Sequence, residues 1–171
     1  FTKGSGIYRM MYESNHLIGK AYLCVDLSYL PDKAYDFYGF NGYESVFNKN
    51  WMKDQDDGLY RSRMFYRLER NQFRIKADLQ GKISGEHLKW GAGFAFQNFS
   101  VGSVDIDRLN KGKDLDDQLP QVTKEPGLYE IYRDSLDIIS ANEADGGWVN
   151  TLKAAIVWDS RDNRPNPMKG I

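Results

Sequence analysis

Cysteine, histidine and long apolar runs are scarce in this chain, and each scarcity excludes a class of protein. The 171 residues include one cysteine, Cys24, which excludes an internal disulfide and a cysteine metal cluster. The two histidines, His16 and His87, stand far apart in turn-like sequence, which argues against a histidine metal site. No apolar run reaches the length that a membrane-spanning helix needs.

An excess of either charge sign and the sequence marks of catalysis are also missing. Lysine and arginine number 23 and aspartate and glutamate 24, so no overall positive field favours nucleic acid, and we predict no nucleic-acid partner. No serine lies in a nucleophile elbow, and Phe96 stands where a dinucleotide loop begun at Gly91 and Gly93 needs its third glycine. We therefore predict that the chain is not an enzyme and holds no metal or cofactor.

Aromatic residues and strict alternation are what the chain does have. Aromatics make up 14% of the sequence, a composition that favours β-strands. Alternation of apolar and polar residues, the mark of a half-buried strand, predicts six strands at 7–13, 18–29, 59–69, 73–83, 88–99 and 148–158. Turn signals at Arg70-Asn71 and Ser84-Gly85 join three of them into a predicted antiparallel up-and-down meander over residues 59–99.

The four clearest strands carry no charge on their apolar face. In residues 73–83, for example, Phe73, Ile75, Ala77, Leu79 and Ile83 oppose polar neighbours. The mean hydropathy of −0.63 is typical of a soluble protein, yet alternating strands conceal a lipid face from any average. Two interpretations stay open: a transmembrane β-barrel with this face outside, or a soluble β-barrel or sandwich that binds a small apolar ligand with this face inside.

The opposite face is predicted to be basic and, in a barrel, to face inward. The residues that define it are Arg61, Arg63, Arg67, Arg74 and Lys76.

Tryptophans stand where a membrane strand would meet the two lipid interfaces. Trp148 and Trp158 share the apolar face of one strand and are ten residues apart, which spans about 33 Å in an extended chain. A tilt of about 40° reduces this to about 25 Å, the height of the apolar band of an outer-membrane barrel. We predict that Trp148, Trp158 and Trp90 are membrane-interface aromatics.

Two short motifs suggest a family. A strand that ends in D-x-R-D-N, followed by a proline and by K-G, occurs here as Asp159, Arg161, Asp162, Asn163, Pro167, Lys169 and Gly170. Upstream, FYGFNGY at residues 37–43 is similar to an F-Y-G-F-G-N segment, with Asn41 in place of the second glycine. Together they resemble the bacterial surface antigen family, the outer-membrane barrels of the BamA and TamA type.

The resemblance implies a location and a role. It places the chain in the outer membrane of a Gram-negative bacterium, with outer-membrane lipid as its surroundings. It also implies a part in the assembly or translocation of proteins or lipids there, with client outer-membrane proteins or other polypeptides as partners. We expect residues 1–171 to be one partial barrel domain, whose open sheet edges would favour self-association if it were isolated.

One long connection, about residues 101–146, is acidic and contains a short amphipathic helical pattern around Leu128, Ile131, Leu136 and Ile139. Long loops of such barrels are extracellular and short turns periplasmic, so we place this connection outside and the DSRDN turn in the periplasm. Counting the predicted strands then puts the long 48–58 loop in the periplasm too. Either the length rule fails at this loop, or the prediction lacks a strand near residues 38–48.

Overall fold

The computed structural model describes residues 4–41, 46–53, 58–85, 87–162, 166 and 168–170, without the side chain of His16. Five strands form one open sheet in which each strand lies beside its neighbour in sequence. The fold is therefore an antiparallel β-meander, which confirms the predicted fold class at this level. The strands are β1 (Tyr8–Ile18), β2 (Ala21–Asp36), β3 (Arg67–Ser84), β4 (Leu88–Gly102) and β5 (Gly146–Trp158).

The third strand corrects two predictions. β3 runs without interruption through Arg70 and Asn71, so the hairpin predicted there is wrong. Residues 59–66 lie before β3 in loop and turn conformations, so the strand predicted at 59–69 is wrong over most of its length. The error has a physical cause: the apolar residues move from even positions, such as Leu68, to odd positions from Phe73 onward. We interpreted this change of face within one strand as a turn between two.

With β3 continuous, the lengths of the connections follow a regular pattern. Successive connections of an antiparallel meander alternate between the two ends of the sheet. The short turns, at 19–20 and 85–87, therefore lie at one end, and the long connections, 37–66 and 103–145, lie at the other. The described residues of the 48–58 loop belong to a connection at the long-connection end. The difficulty in the strand count came from the hairpin wrongly predicted at Arg70 and Asn71. Gly19 and Gly85 each adopt a φ of 57°, a conformation that favours glycine and closes the short turns.

The chain divides into two compact units. We call the first the strand unit; it comprises Tyr8–Tyr29, Phe73–Asn98 and the residues from Trp148 onward. We call the second the loop unit; it comprises Leu30–Gln72, Phe99–Gly147 and the residues that precede Tyr8.

The loop unit has a packed aromatic core. Phe65, Tyr66, Leu128 and Tyr132 are buried together, and Phe37 of the FYGF motif packs edge-on against Tyr132 with ring centroids 5.8 Å apart. Backbone hydrogen bonds fix this arrangement, because Phe37 N–H donates to the Tyr66 carbonyl at 2.9 Å and Leu128 N–H to the Phe65 carbonyl at 2.8 Å. A second cluster contains Val104, Ile106 and Leu119.

The long connection is ordered by short helices and by ion pairs. It contains an α-helix at Ile106–Asn110, a 3₁₀ turn at Leu115–Asp117, a helical turn at Leu128–Glu130 and a π-helical turn at Ile131–Ser135. The expected helix near residue 131 is thus present as these last two turns. Arg108 of the first helix contacts Glu69 of β3 at 3.3 Å, and Glu69 also pairs with Lys33 of β2. None of the helices in the described residues is long and apolar enough to cross a membrane.

Candidate functional site

The sheet of the strand unit has one apolar and one polar face. Strand pairing sets Tyr8 opposite Tyr29, Met10 opposite Leu27 and Tyr12 opposite Val25. The intervening pairs, such as Met11 with Asp26, point to the other side because successive side chains of a strand alternate. The same alternation continues through the strand-unit parts of β3, β4 and β5. Across these five strands, the described residues of the apolar face include no Asp, Glu, Lys or Arg.

The apolar face is exposed on β5 and on much of β1, whereas Leu23 on the same face of β2 is buried. On β5, the side chains of Leu152 and Ile156 are 87% and 77% accessible to solvent, and those of Trp148 and Trp158 are each 64% accessible. The described strands form a single sheet, so no second sheet layer covers this face within the part of the chain that the structure describes. A contiguous exposed apolar surface of this kind normally marks a contact with lipid or with another protein.

The three tryptophans predicted to be membrane-interface aromatics lie near the ends of their strands. Trp148 is close to the start of β5 and Trp158 is its last residue, where the indole lies against the His87 ring with centroids 5.8 Å apart. Trp90 is the third residue of β4 and covers Gly81 of β3: a Cβ atom at Gly81 would lie 2.6 Å from the Cε2 atom of Trp90. Trp90 and Trp158 therefore belong to the short-turn end of the sheet and Trp148 to the other end.

Ion pairs cross the polar face from strand to strand. Arg9 of β1 donates through Nε and a terminal nitrogen to both carboxylate oxygens of Asp26 on β2, at 3.0 and 2.9 Å. Arg74 of β3 donates to the same carboxylate at 3.0 Å. Asp26 is only 4% accessible, so this carboxylate is satisfied by two guanidinium groups rather than by water. Three strands are thereby joined through one side chain.

A second ion-pair group crosses β4. Asp78 of β3 pairs with Lys76 at 3.0 Å and with Lys153 of β5, two strands away. Gly93 of β4 makes this contact possible, because a Cβ atom there would overlap the Asp78 carboxylate and lie 2.8 Å from the Ala77 carbonyl oxygen. The sequence analysis missed Asp26, Asp78 and Lys153 as a set. The available signal was a glycine on the polar face of β4, between a strand that carries Asp78 and a strand that carries Lys153.

The structure brings only part of the predicted basic face together. Arg74 and Lys76 lie among these ion pairs, whereas Arg67 contacts Asp36 and the Ala34 carbonyl in the loop unit. Arg61 and Arg63 precede β3, so their assignment to a strand was wrong. Arg61 lies over the Trp51 ring, and Arg63 donates to the Asp117 carbonyl at 3.3 Å.

The described residues of the DSRDN motif form a compact turn. Arg161 donates twice to the Asp159 carboxylate, at 2.7 and 3.0 Å, and this contact raises the pKa of the Arg161 guanidinium. The Asp162 carboxylate accepts from the backbone N–H groups of Met168 and Lys169, and the Asp162 N–H donates to the Lys169 carbonyl. Asn163 and Pro167 lie outside the described residues.

Gly170 closes the same turn with a φ of +94°. A Cβ atom there would lie 2.6 Å from the Ser160 carbonyl carbon, so the close approach of the two segments requires glycine. Asp159 connects the turn to the sheet, since its N–H donates to the His87 carbonyl at 2.9 Å.

Among the described residues, no three His, Cys, Asp or Glu side chains are grouped so that they could hold a metal ion. No protein-family model matches the chain, and the searches of curated proteins and of solved structures found no match either.

Proposed function

We propose that this chain is part of the wall of an outer-membrane β-barrel in a Gram-negative bacterium. One observation carries the proposal: five adjacent strands share an apolar face that is free of charge over its described residues and has no second sheet layer over it. Lipid is the partner that suits such a surface, because acyl chains offer no counterpart to charged or hydrogen-bonding side chains.

The polar face and the connections support the same assignment. Ion-paired side chains are suited to the water-filled or plugged interior of a barrel. The long connections at one end and the short turns at the other follow the pattern of extracellular loops and periplasmic turns. We accordingly assign the 37–66 and 103–145 connections to the outside and the 159–170 turn to the periplasm.

Closure of the sheet follows from the same proposal. Lipid leaves free backbone N–H and C=O groups unsatisfied, so a spanning sheet must close into a barrel. β1 and β5 are the outer strands of the present sheet, and further strands of a complete barrel would pair with them.

The role within the membrane rests on the two motifs. Their resemblance to the BamA and TamA type supports assembly or translocation of proteins or lipids, with client outer-membrane proteins or other polypeptides as partners. The soluble alternative, a barrel or sandwich that binds a small apolar ligand, needs a second layer over the apolar face. The single sheet of the described residues gives it no specific support.

Contact with lipid tests the proposal. The full protein is reconstituted in vesicles whose acyl chains carry bromine at a shallow or a deep position, and fluorescence is followed in single-tryptophan variants. We expect Trp148 and Trp158 to be quenched by shallow bromine and an Ala154→Trp variant by deep bromine. Ala155→Trp, on the polar face, is the matched control and should be protected. Equal protection of all four positions would refute the membrane assignment.

A further inference from the structure

The loop unit contains a cleft whose composition points to a ligand. It measures about 300 Å³ and is walled by aromatic and aliphatic side chains, among them Trp51, Phe65, Leu128 and Tyr132. Among the described residues, the only charged one that lines it is Arg61. Small-molecule sites commonly combine apolar walls with a few polar groups that orient the ligand.

The Arg61 guanidinium is stacked on two aromatic rings and is exposed to solvent. Its central carbon lies 4.7 Å from the centroid of the Trp51 ring and 5.3 Å from that of Phe65. The backbone supports this position, because the N–H groups of Arg61 and Ser62 both donate to the Trp51 carbonyl, at 3.0 and 3.1 Å. Within the described part of the chain, no carboxylate pairs with the Arg61 side chain.

The geometry points to a binding site for a small aromatic carboxylate. We propose that the ring of such a molecule packs among the aromatic walls and that its carboxylate meets Arg61. Rings packed edge-on or offset gain energy beyond the area they bury. A guanidinium stacked on an aromatic ring keeps its N–H edge free to donate two parallel hydrogen bonds to a carboxylate.

This site is separate from the proposed membrane surface. It uses residues of the loop unit, whereas the lipid-facing positions belong to the strand unit. Failure of ligand binding would therefore leave the lipid-contact experiment unaffected, and the reverse also holds.

A matched series of probes tests the proposal. The full protein in lipid nanodiscs is titrated with 3-phenylpropionate, 3-phenylpropanol and 3-phenylpropylamine, which share one ring and differ in their end group. Saturation-transfer NMR with empty nanodiscs as blank reports binding. We expect the acid to bind at least about tenfold more tightly than the alcohol, as a charge-assisted hydrogen bond implies, and the amine to bind most weakly.

Two variants and a control connect the binding to the cleft. Arg61→Gln should remove the preference for the acid over the alcohol, and Leu136→Trp, at an exposed rim position, should weaken all three probes by narrowing the cleft. Arg63→Gln is the control, because Arg63 is an exposed arginine outside the cleft lining. Absence of binding, equal affinity for acid and alcohol, or an acid preference that survives Arg61→Gln would each overturn the proposal.

Discussion

The two units share three strands but differ in whether the apolar side chains are buried or exposed. In the loop unit, apolar side chains pack inward, and Phe65 and Tyr132 are 1% and 3% accessible. In the strand unit, Leu152 is 87% accessible. β2, β3 and β4 each pass from one unit to the other, at Tyr29/Leu30, Gln72/Phe73 and Asn98/Phe99.

At these same boundaries, the apolar residues of the three strands change between odd and even sequence positions. They shift from odd to even positions at Leu30 and Ala34 of β2, from even Leu68 to odd Phe73 in β3, and from even Phe96 to odd Phe99 in β4. Alternate residues of a strand face opposite sides of the sheet. Whether the apolar residues hold odd or even positions therefore shows which side of the sheet is apolar. Three strands that change together indicate a change of surroundings, and the proposed membrane boundary supplies one.

Removal of a core side chain from the loop unit is the strongest test of this contrast. Phe65→Ala should destabilise that unit by about 3–5 kcal/mol, because the buried ring leaves a cavity. Hydrogen exchange at the Tyr129–Tyr132 amides should accelerate accordingly. Leu152→Ala is the control and should leave these amides unchanged, since Leu152 is exposed in the other unit. Similar acceleration in both variants would show that the two units do not differ in this respect.

A charge on the exposed face tests what that face contacts. Ala154→Arg should cost about 2–4 kcal/mol in lipid vesicles, because position 154 lies near the middle of the stretch between Trp148 and Trp158 on the apolar face. Ala155→Arg points to the polar face, where Gly91 leaves room beside it, and should cost far less. Denaturant unfolding in vesicles gives both values. Equal costs would remove the distinction between the faces.

The polar face can be tested by adding a single methyl group. Gly93→Ala forces the new Cβ into the Asp78 carboxylate and the Ala77 carbonyl, so we expect a loss of about 1–3 kcal/mol from overpacking. Gly91→Ala, two residues away on the same face, meets Ala155 at an ordinary 3.6 Å and should be nearly neutral. The same unfolding assay compares the two, and a neutral Gly93→Ala would show that Asp78 can reach Lys153 by another path.

The smallest expected effect concerns an exposed ion pair of the loop unit. Arg133 donates to both carboxylate oxygens of Asp134, at 2.6 and 2.8 Å, and these hydrogen bonds lower the pKa of Asp134. The pair therefore contributes stability above the ordinary carboxyl pKa and loses it as pH falls through the lowered value. Arg133→Gln should return the pKa of Asp134 toward its ordinary value in a carboxyl NMR titration, whereas Arg63→Gln should not. An unchanged value in Arg133→Gln would contradict this assignment.

Alternation and turn signals predicted the antiparallel arrangement and most of the strand positions. β2, β4 and β5 begin or end within a few residues of the sequence prediction, because each keeps a constant apolar face over most of its length. Alternation failed to predict β3 as a single strand through Arg70 and Asn71. A change of apolar face without a turn requires two different environments along one strand. A single-strand pattern does not contain that information.

The candidate site was predictable only where it is local in sequence. The Asp159–Arg161 contact joins residues two positions apart, so the motif itself suggested it. The contact between Asp78 and Lys153 joins residues 75 positions apart and depends on the register of three strands. Sequence periodicity assigns a residue to a face but leaves its neighbour on the next strand undetermined.

The contacts of Asp26 and Asp78 have a mechanical consequence for the sheet. Backbone hydrogen bonds join each strand only to its immediate neighbours, so an outer strand can separate without disturbing the rest of the sheet. Side chains that reach across strands distribute the load: β1 cannot be peeled from β2 without breaking the Arg9 contact, and Asp26 passes part of that force to Arg74 on β3. Lys153 ties β5 past β4 to β3. Both outer strands are thus joined to the central strand by side-chain ion pairs, so separation of either one requires these contacts to break.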